Sequence, residues 1–430
     1  MKSVGWRVVA FLSIVSPFAA RAESISRVDI NANVVTLTLD SNTCELTPIN
    51  ESTVKVEYKP GGQTSPASEI IDPTLSSNLL FSSIQQSDDS LTLIGGEYVV
   101  KIAKSPFDIE FTDKSGSTLF KSSAITDSQI VGKIVSGIYY GFRNDPGSQL
   151  QVYGTRAIDP SYQGRACSPF IWTTKKFGLL VDAEYGSIGV GPTSVIVGRA
   201  NSTNKSTLFF LMTGTPHQII KNYYRVTGFY PLPHFWTLGF HNSEWGINEA
   251  EMMSHIKHYR EKDVPLDAFI LDYDWFRFNE GNNGDFRWHD GNFPSAMSGE
   301  LKRKCDSVGV RLVGIRKPYG TFGSWQFYDK AQRDTFWNNF VNPEYNSYER
   351  GIIGYWNDEA DWARPPFNGL YMQKALFDGQ RSYNNQRVWS INRNYMGGAH
   401  RYAYGLWSGD IQTSFQELAN QPGFMLSSVN

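Results

Sequence analysis

Residues 351–358 read Gly-Ile-Ile-Gly-Tyr-Trp-Asn-Asp, a short apolar run that stops at a carboxylate. Runs of this kind, placed between stretches with helical periodicity, are the rhythm of a parallel βα architecture. Working outward, similar runs occur at Thr237 to His241, Ala268 to Asp272, Arg311 to Ile315, Val388 to Asn392 and Tyr404 to Trp407. Helix-like stretches lie between them, among them Asn248 to Glu261 and Gln332 to Phe340, with apolar residues recurring at three and four positions. Each run ends in polar or aromatic residues, which is where a (β/α)8 barrel of the TIM type keeps its chemistry.

The count of these runs falls short of eight. Six are clear and a seventh is a candidate at Gly423 to Val429, while fewer than 200 residues follow Pro233 and a full barrel takes about 250. The expectation is a C-terminally incomplete barrel over residues 226–430, with an open apolar edge.

Before Pro231-Leu232-Pro233 the pattern differs. From Val28 to about Thr213 short alternating runs such as Val34-Val35-Thr36-Leu37-Thr38-Leu39 and Phe107-Asp108-Ile109-Glu110-Phe111 are separated by Gly, Asn, Asp and Ser turns. That is the signature of an antiparallel β-sandwich, assigned to residues 23–225, with Ile219 to Tyr224 as a short linking helix. Residues 1–22 read as a signal peptide: Lys2 and Arg7 flank a short apolar stretch that ends in Ala20-Arg21-Ala22. Sequons at Asn50, Asn201 and Asn204 add to the expectation of a secreted glycoprotein. Beyond the leader no run is long enough to span a bilayer.

The net charge of −2 lacks long runs of one sign, which argues against nucleic acid or an anionic membrane as partner. The aromatic share of 14% suits stacking against the C–H faces of sugar rings. Three cysteines are too few for a disulfide scaffold and have no zinc spacing. A Cys44 to Cys167 bridge stays open, and Cys305 reads as a buried thiol.

The carboxylates at the strand ends carry the chemistry. They are Asp272 and Asp274 in Leu-Asp-Tyr-Asp-Trp, Asp358 in the opening stretch, and Asp410 in Leu-Trp-Ser-Gly-Asp. Strand ends of one barrel converge on one cavity, and retaining glycoside hydrolysis needs two carboxyl groups about 5–5.5 Å apart. Asp358 and Asp410 can supply them, with Trp356 and Trp407 flanking a sugar ring. The competing reading of any single strand-end Asp is a helix N-cap. Arg393 can fork onto hydroxyls and a carboxylate, or serve as a structural ion pair. His241 and His400 lie near strand ends and read equally well as structural residues.

Gly354-Tyr355-Trp356-Asn357-Asp358 is similar to the Gly-x-Trp-x-Asp strand of glycoside hydrolase family 31, whose Asp forms the glycosyl-enzyme. Arg401-Tyr402 through Leu406-Trp407-Ser408-Gly409-Asp410 resembles the family's segment ending in the acid/base Asp. The resemblance covers nearly the whole mature chain. It implies that Asp358 is the nucleophile, that Asp410 is the acid/base, that Asp272 binds hydroxyls of the terminal sugar, and that Arg393 contacts the same sugar. Asp274, Trp356 and Trp407 complete the implied substrate-binding set, with no metal and no organic cofactor. The implied activity is that of a retaining, exo-acting α-glycosidase on an oligosaccharide or glycoside, α-glucosidase first. An α-galactosidase, an α-xylosidase and a truncated, non-catalytic carbohydrate-binding form are the alternatives. Three departures stand out: Leu406 stands where the family has the His of His-Trp, Lys317 replaces the usual Asp or Asn after the third strand, and Asp358 is followed by Glu359-Ala360-Asp361 where the family has Met-Asn-Glu. A basic Lys317 near the subsites could contact an acidic or heavily hydroxylated aglycone, whereas the ordinary reading of a loop lysine is that it is solvated.

Overall fold

The computed structural model describes residues 23–126, 129–133, 139–142, 169–184, 186–190, 194–199, 204–276, 288–320, 323–341, 350–360, 367–393, 396–402, 405–407, 414–415 and 418–419. The described residues between 27 and 213 form two antiparallel sheets, each with eight described strands. Alternation decides which side chains go inward: Val35 and Leu37 of Val34–Thr38 are buried while their neighbours are partly exposed, and Leu91 and Leu93 of Ser90–Ile94 repeat the pattern. These residues join Val54, Val56, Ile102, Ile109 and Phe111 in one apolar cluster drawn from both sheets.

Phe177–Val181 breaks the alternation because it is buried on both sides. One of its faces, through Leu180, joins a second cluster with Phe210, Met212, Tyr223 and Leu370. Tyr223 belongs to the linking helix, which runs over Pro216–Thr227 and is longer than the expected Ile219 to Tyr224. Its start was written in the sequence, since Thr215 and Gln218 form a reciprocal capping box and Pro216 occupies the first turn.

The parallel sheet follows, with six strands in chain order: β1 (His241–Glu244), β2 (Ala268–Leu271), β3 (Arg311–Arg316), β4 (Ile352–Asn357), β5 (Ser390–Asn392) and β6 (Gly405–Leu406). Every neighbouring pair is parallel. The first strand lies later than expected. Phe235–Leu238 is a 3-10 helix, stabilised where the Thr237 hydroxyl donates to the His234 carbonyl at 2.6 Å, and pairing with β2 begins only at His241. The expected helix at Gln332 to Phe340 begins earlier, at Lys330, because Asp329 caps it by accepting from the Ala331 N–H at 2.8 Å. It changes to π-helical geometry over Phe336–Val341. The candidate seventh strand, Gly423 to Val429, lies outside the described residues.

Inside the curled sheet Ala268, Val313 and Trp389 form a small cluster with Trp236, Trp356 and Ile391. This explains one glycine of the opening stretch: a Cβ on Gly354 would lie 2.8 Å from the Trp389 ring. Cys44 is a buried free thiol among the described residues, and Cys167, the partner of the open bridge, lies outside them. Burial first, then the charges of Glu45 and Glu57, push the Cys44 thiol up to about 12. Among the described residues no helix is long and apolar enough to cross a membrane.

Candidate active site

Strand parity sets the site. Along β4 the Trp356 side chain and the open side of Gly354 face the small inner cluster, Tyr355 packs in the outer layer, and Asp358 follows Trp356 on the inner side just past the strand. On β3 Arg316 turns outward, its guanidinium 4.5 Å from the Trp275 ring centroid. Lys317 therefore turns inward. The β3–β4 register pairs Arg316 with Asn357, so the next residues, Lys317 and Asp358, leave the sheet side by side.

The result is a compact charge cluster. Lys317 Nζ lies 3.0 Å from Asp358 Oδ2, and Arg393 Nη1 lies 3.0 Å from Asp358 Oδ1. The Glu359 N–H donates to Asp358 Oδ1 at 2.7 Å. All three charged residues are less than a tenth exposed: Asp358 6%, Lys317 5% and Arg393 7%. Lys317 also binds Glu359 Oε1 at 2.7 Å and sits 4.5 Å from the Tyr273 ring centroid. Burial alone would lower the Lys317 pKa, yet Asp358, Glu359 and Tyr273 together raise it. The expectation of a solvated loop lysine is overturned, and the reason is parity: one residue beyond an outward Arg, the chain must point the lysine inward.

Asp272, at the end of β2, does two things. It caps the short helix Tyr273–Trp275, its Oδ1 accepting from the Tyr273 N–H at 2.8 Å, so the N-cap reading holds here. Its pKa is pushed up from 3.8 to about 6 by burial and by the charge of Asp358, against the lowering effect of the Tyr273 N–H and Lys317. Asp274 is engaged differently: its Oδ2 accepts from the Gly246 N–H at 2.7 Å and ties together the loops after β1 and β2.

Arg393 is positioned by its backbone, whose N–H donates to the Asn357 carbonyl at 3.1 Å. Its guanidinium lies 5.3 Å from the Trp407 ring centroid, and Trp407 meets Trp356 edge-on with centroids 5.0 Å apart. The Trp407 N–H donates to the Asn392 carbonyl at 2.9 Å, which holds the end of β6 beside that of β5. The structure thus brings Asp272, Trp356, Asp358, Arg393 and Trp407 to one set of adjacent strand ends. Asp410 lies outside the described residues. His400 is structural, its ring buried and hydrogen-bonded to the Gly228 carbonyl at 2.7 Å, and His241 sits at the opposite end of β1 against the Trp236 carbonyl and the Trp389 ring. Sequence reasoning missed the pairing of Lys317 with Glu359. Trp245, 75% exposed just beyond β1 and 6.5 Å from Tyr273, was also missed.

A chain with a parallel strand-and-helix sheet and a buried, cation-bracketed carboxylate at its strand ends has the architecture of a TIM-barrel enzyme domain. Residues 230–365 and 320–430 match the family model for the TIM-barrel domain of glycosyl hydrolases family 31, and this part of the chain belongs to that family. A 1,6-alpha-glucosyltransferase of Sporosarcina globispora is 27% identical over 93% of this chain and 37% of its own length. An alpha-xylosidase of Saccharolobus solfataricus is 25% identical over 59% of this chain and 39% of its own. The fold matches a Flavobacterium johnsoniae family 31 dextranase complexed with glucose, with TM-score 0.80 and 16% identity over 95% of this chain and 59% of that one. The chain thus spans between about a third and three-fifths of the length of these relatives.

Proposed function

We propose that this chain carries the catalytic site of a retaining, exo-acting α-glycosidase, α-glucosidase first, with an N-terminal β-sandwich over residues 23–225 and the barrel over 226–430. The observation that carries the reading is Asp358. It is an inward carboxylate at the end of β4, held between Lys317 and Arg393 in a chain of a glycoside hydrolase family.

In this reading an Asp358 oxygen bonds to the anomeric carbon as the glycosidic C–O bond breaks, and Asp410 gives its proton to the departing oxygen. Asp410 then takes a proton from water, whose oxygen displaces Asp358 and leaves the sugar with its α configuration. Asp272, Asp274 and Arg393 bind hydroxyls, and Trp356 and Trp407 wall the ring. The N-terminal leader and the three sequons support secretion into an extracellular setting. Relatives described as a glucosyltransferase and an alpha-xylosidase keep transfer and a xyloside substrate within the same chemistry.

The test is release of 4-nitrophenol from α-glucoside, α-galactoside and α-xyloside substrates by the chain and by its Asp358→Ala variant. Turnover of the glucoside, lost in the variant, supports the reading. Preference for the xyloside or the galactoside changes the sugar but keeps the mechanism. A folded chain that turns over none of them, yet binds maltose or isomaltose in calorimetry, is the carbohydrate-binding alternative.

A further inference from the structure

Lys317 joins two carboxylates at once, and this arrangement costs more than a single pair would. A buried ammonium loses its hydration, and its flexible stem gives up rotamer freedom. Glu359 adds a cost of its own: its φ of +54° lies in the left-handed region, which a residue with a Cβ adopts only when its surroundings hold it there. What holds it is the same cluster, through the Glu359 N–H to Asp358 Oδ1 and the Lys317 bond to Glu359 Oε1. Two of the places where the sequence departs from the pattern it resembles are therefore in contact.

We infer that Lys317 is a positioning residue for Asp358, fixing its second oxygen and balancing its charge, and that Glu359 aims Lys317 and keeps it neutralised when Asp358 becomes an ester. The inference rests on Asp358 being the nucleophile. The groups facing Asp358 are Lys317 from β3, Arg393 from β5, Asp272 and Tyr273 from β2, and Glu359 beside it. Asp358 loses its negative charge on forming the glycosyl-enzyme. Lys317 would then keep Glu359 as its bonded carboxylate among the described residues. Without Glu359 the ammonium would stay buried with no bonded carboxylate among the described residues, which destabilises the intermediate.

The experiment compares the chain with Lys317→Met, Lys317→Arg and Glu359→Gln, each first shown to fold by circular dichroism. A readout that needs no turnover is the carboxyl carbon resonance of Asp358 in chain labelled at aspartate, identified by its loss in Asp358→Asn. In Lys317→Met the titration midpoint of that resonance is expected to rise by about one pH unit or more, and in Glu359→Gln to fall. Where turnover is measurable, Lys317→Met loses about a hundredfold in kcat with KM little changed, and the acid limb of its pH profile moves up. Lys317→Arg restores the position of that limb. A folded Lys317→Met whose resonance titrates as in the unsubstituted chain overturns the inference. If Lys317→Met does not fold, an unmoved resonance in Glu359→Gln overturns it instead. An inert chain in which the resonance still moves would retire the hydrolase reading and leave the pairing of Lys317 with Asp358 standing.

Discussion

At the scale of single residues, the site is a contest between burial and charge. Asp272 shows it most clearly, because its carboxyl titrates near 6 in the folded chain and near 3.8 when exposed. Between those values the folded chain holds more proton at Asp272 than the unfolded chain does. Its contribution to stability therefore falls as pH rises from about 3.8 to about 6 and is level above. Asp272→Asn, neutral throughout, removes that slope. The Tm of the variant minus that of the unsubstituted chain should grow from pH 4 to pH 6 and then stay constant, as differential scanning calorimetry would show; a difference independent of pH would mean that Asp272 titrates as an exposed carboxylate. Trp245 makes a second prediction at this scale. An exposed indole beside the charge cluster suits stacking on a sugar ring, so Trp245→Ala should raise KM for a disaccharide more than for a 4-nitrophenyl glycoside, with Tm unchanged.

Elements are held at their ends and at their closest contacts. The helix Glu249–Glu261 begins with a reciprocal box in which Asn248 accepts from the Glu251 N–H at 3.1 Å and Glu251 accepts from the Asn248 N–H at 3.1 Å. Asn248→Ala should cost about 1 kcal/mol, read as a lower urea midpoint at unchanged slope. Gly379, inside the helix Phe367–Tyr383, sets two effects against each other. Alanine would favour the helix by about 1 kcal/mol, but its methyl would overlap the indole of Trp337 in a packed layer, and overpacking costs about 1–3 kcal/mol. The indole cannot swing away as a flexible chain end would. Gly379→Ala is expected to destabilise; a gain in Tm would show that Trp337 has room to move.

At the scale of the whole molecule, Arg401 joins the parts. Its guanidinium donates to the carbonyls of Glu69, Ile70 and Thr227, linking the end of the parallel sheet to the segment beside the antiparallel sheets and to the linking helix. Around it Ile70, Tyr223, Leu370 and Ala399 share one apolar cluster. Arg401→Met keeps much of the stem but leaves three carbonyls without their charged donor, at about 1.5–3 kcal/mol for each such bond. Calorimetry should show a lower Tm and the single transition resolving into two as the halves uncouple; one unchanged transition would mean that the apolar cluster alone couples them.

The amino-acid sequence by itself determined the change from alternating runs to strand-and-helix rhythm, the strands that end in Asp272 and Asp358, and the helix start at Asn248. These are local properties: a period of two or of 3.6, a cap three residues from its partner, a carboxylate at the end of an apolar run. Only the tertiary structure decided that residues 235–238 curl into a 3-10 turn before β1, that Phe177–Val181 is covered on both faces, and that Lys317 is buried. Lys317, Asp358 and Arg393 are separated by tens of residues, and no local pattern says that the ends of β3, β4 and β5 stand side by side. Parallel pairing brings those ends together, and strand parity turns each side chain inward. The cluster that gives Asp358 its orientation exists only after the sheet has formed.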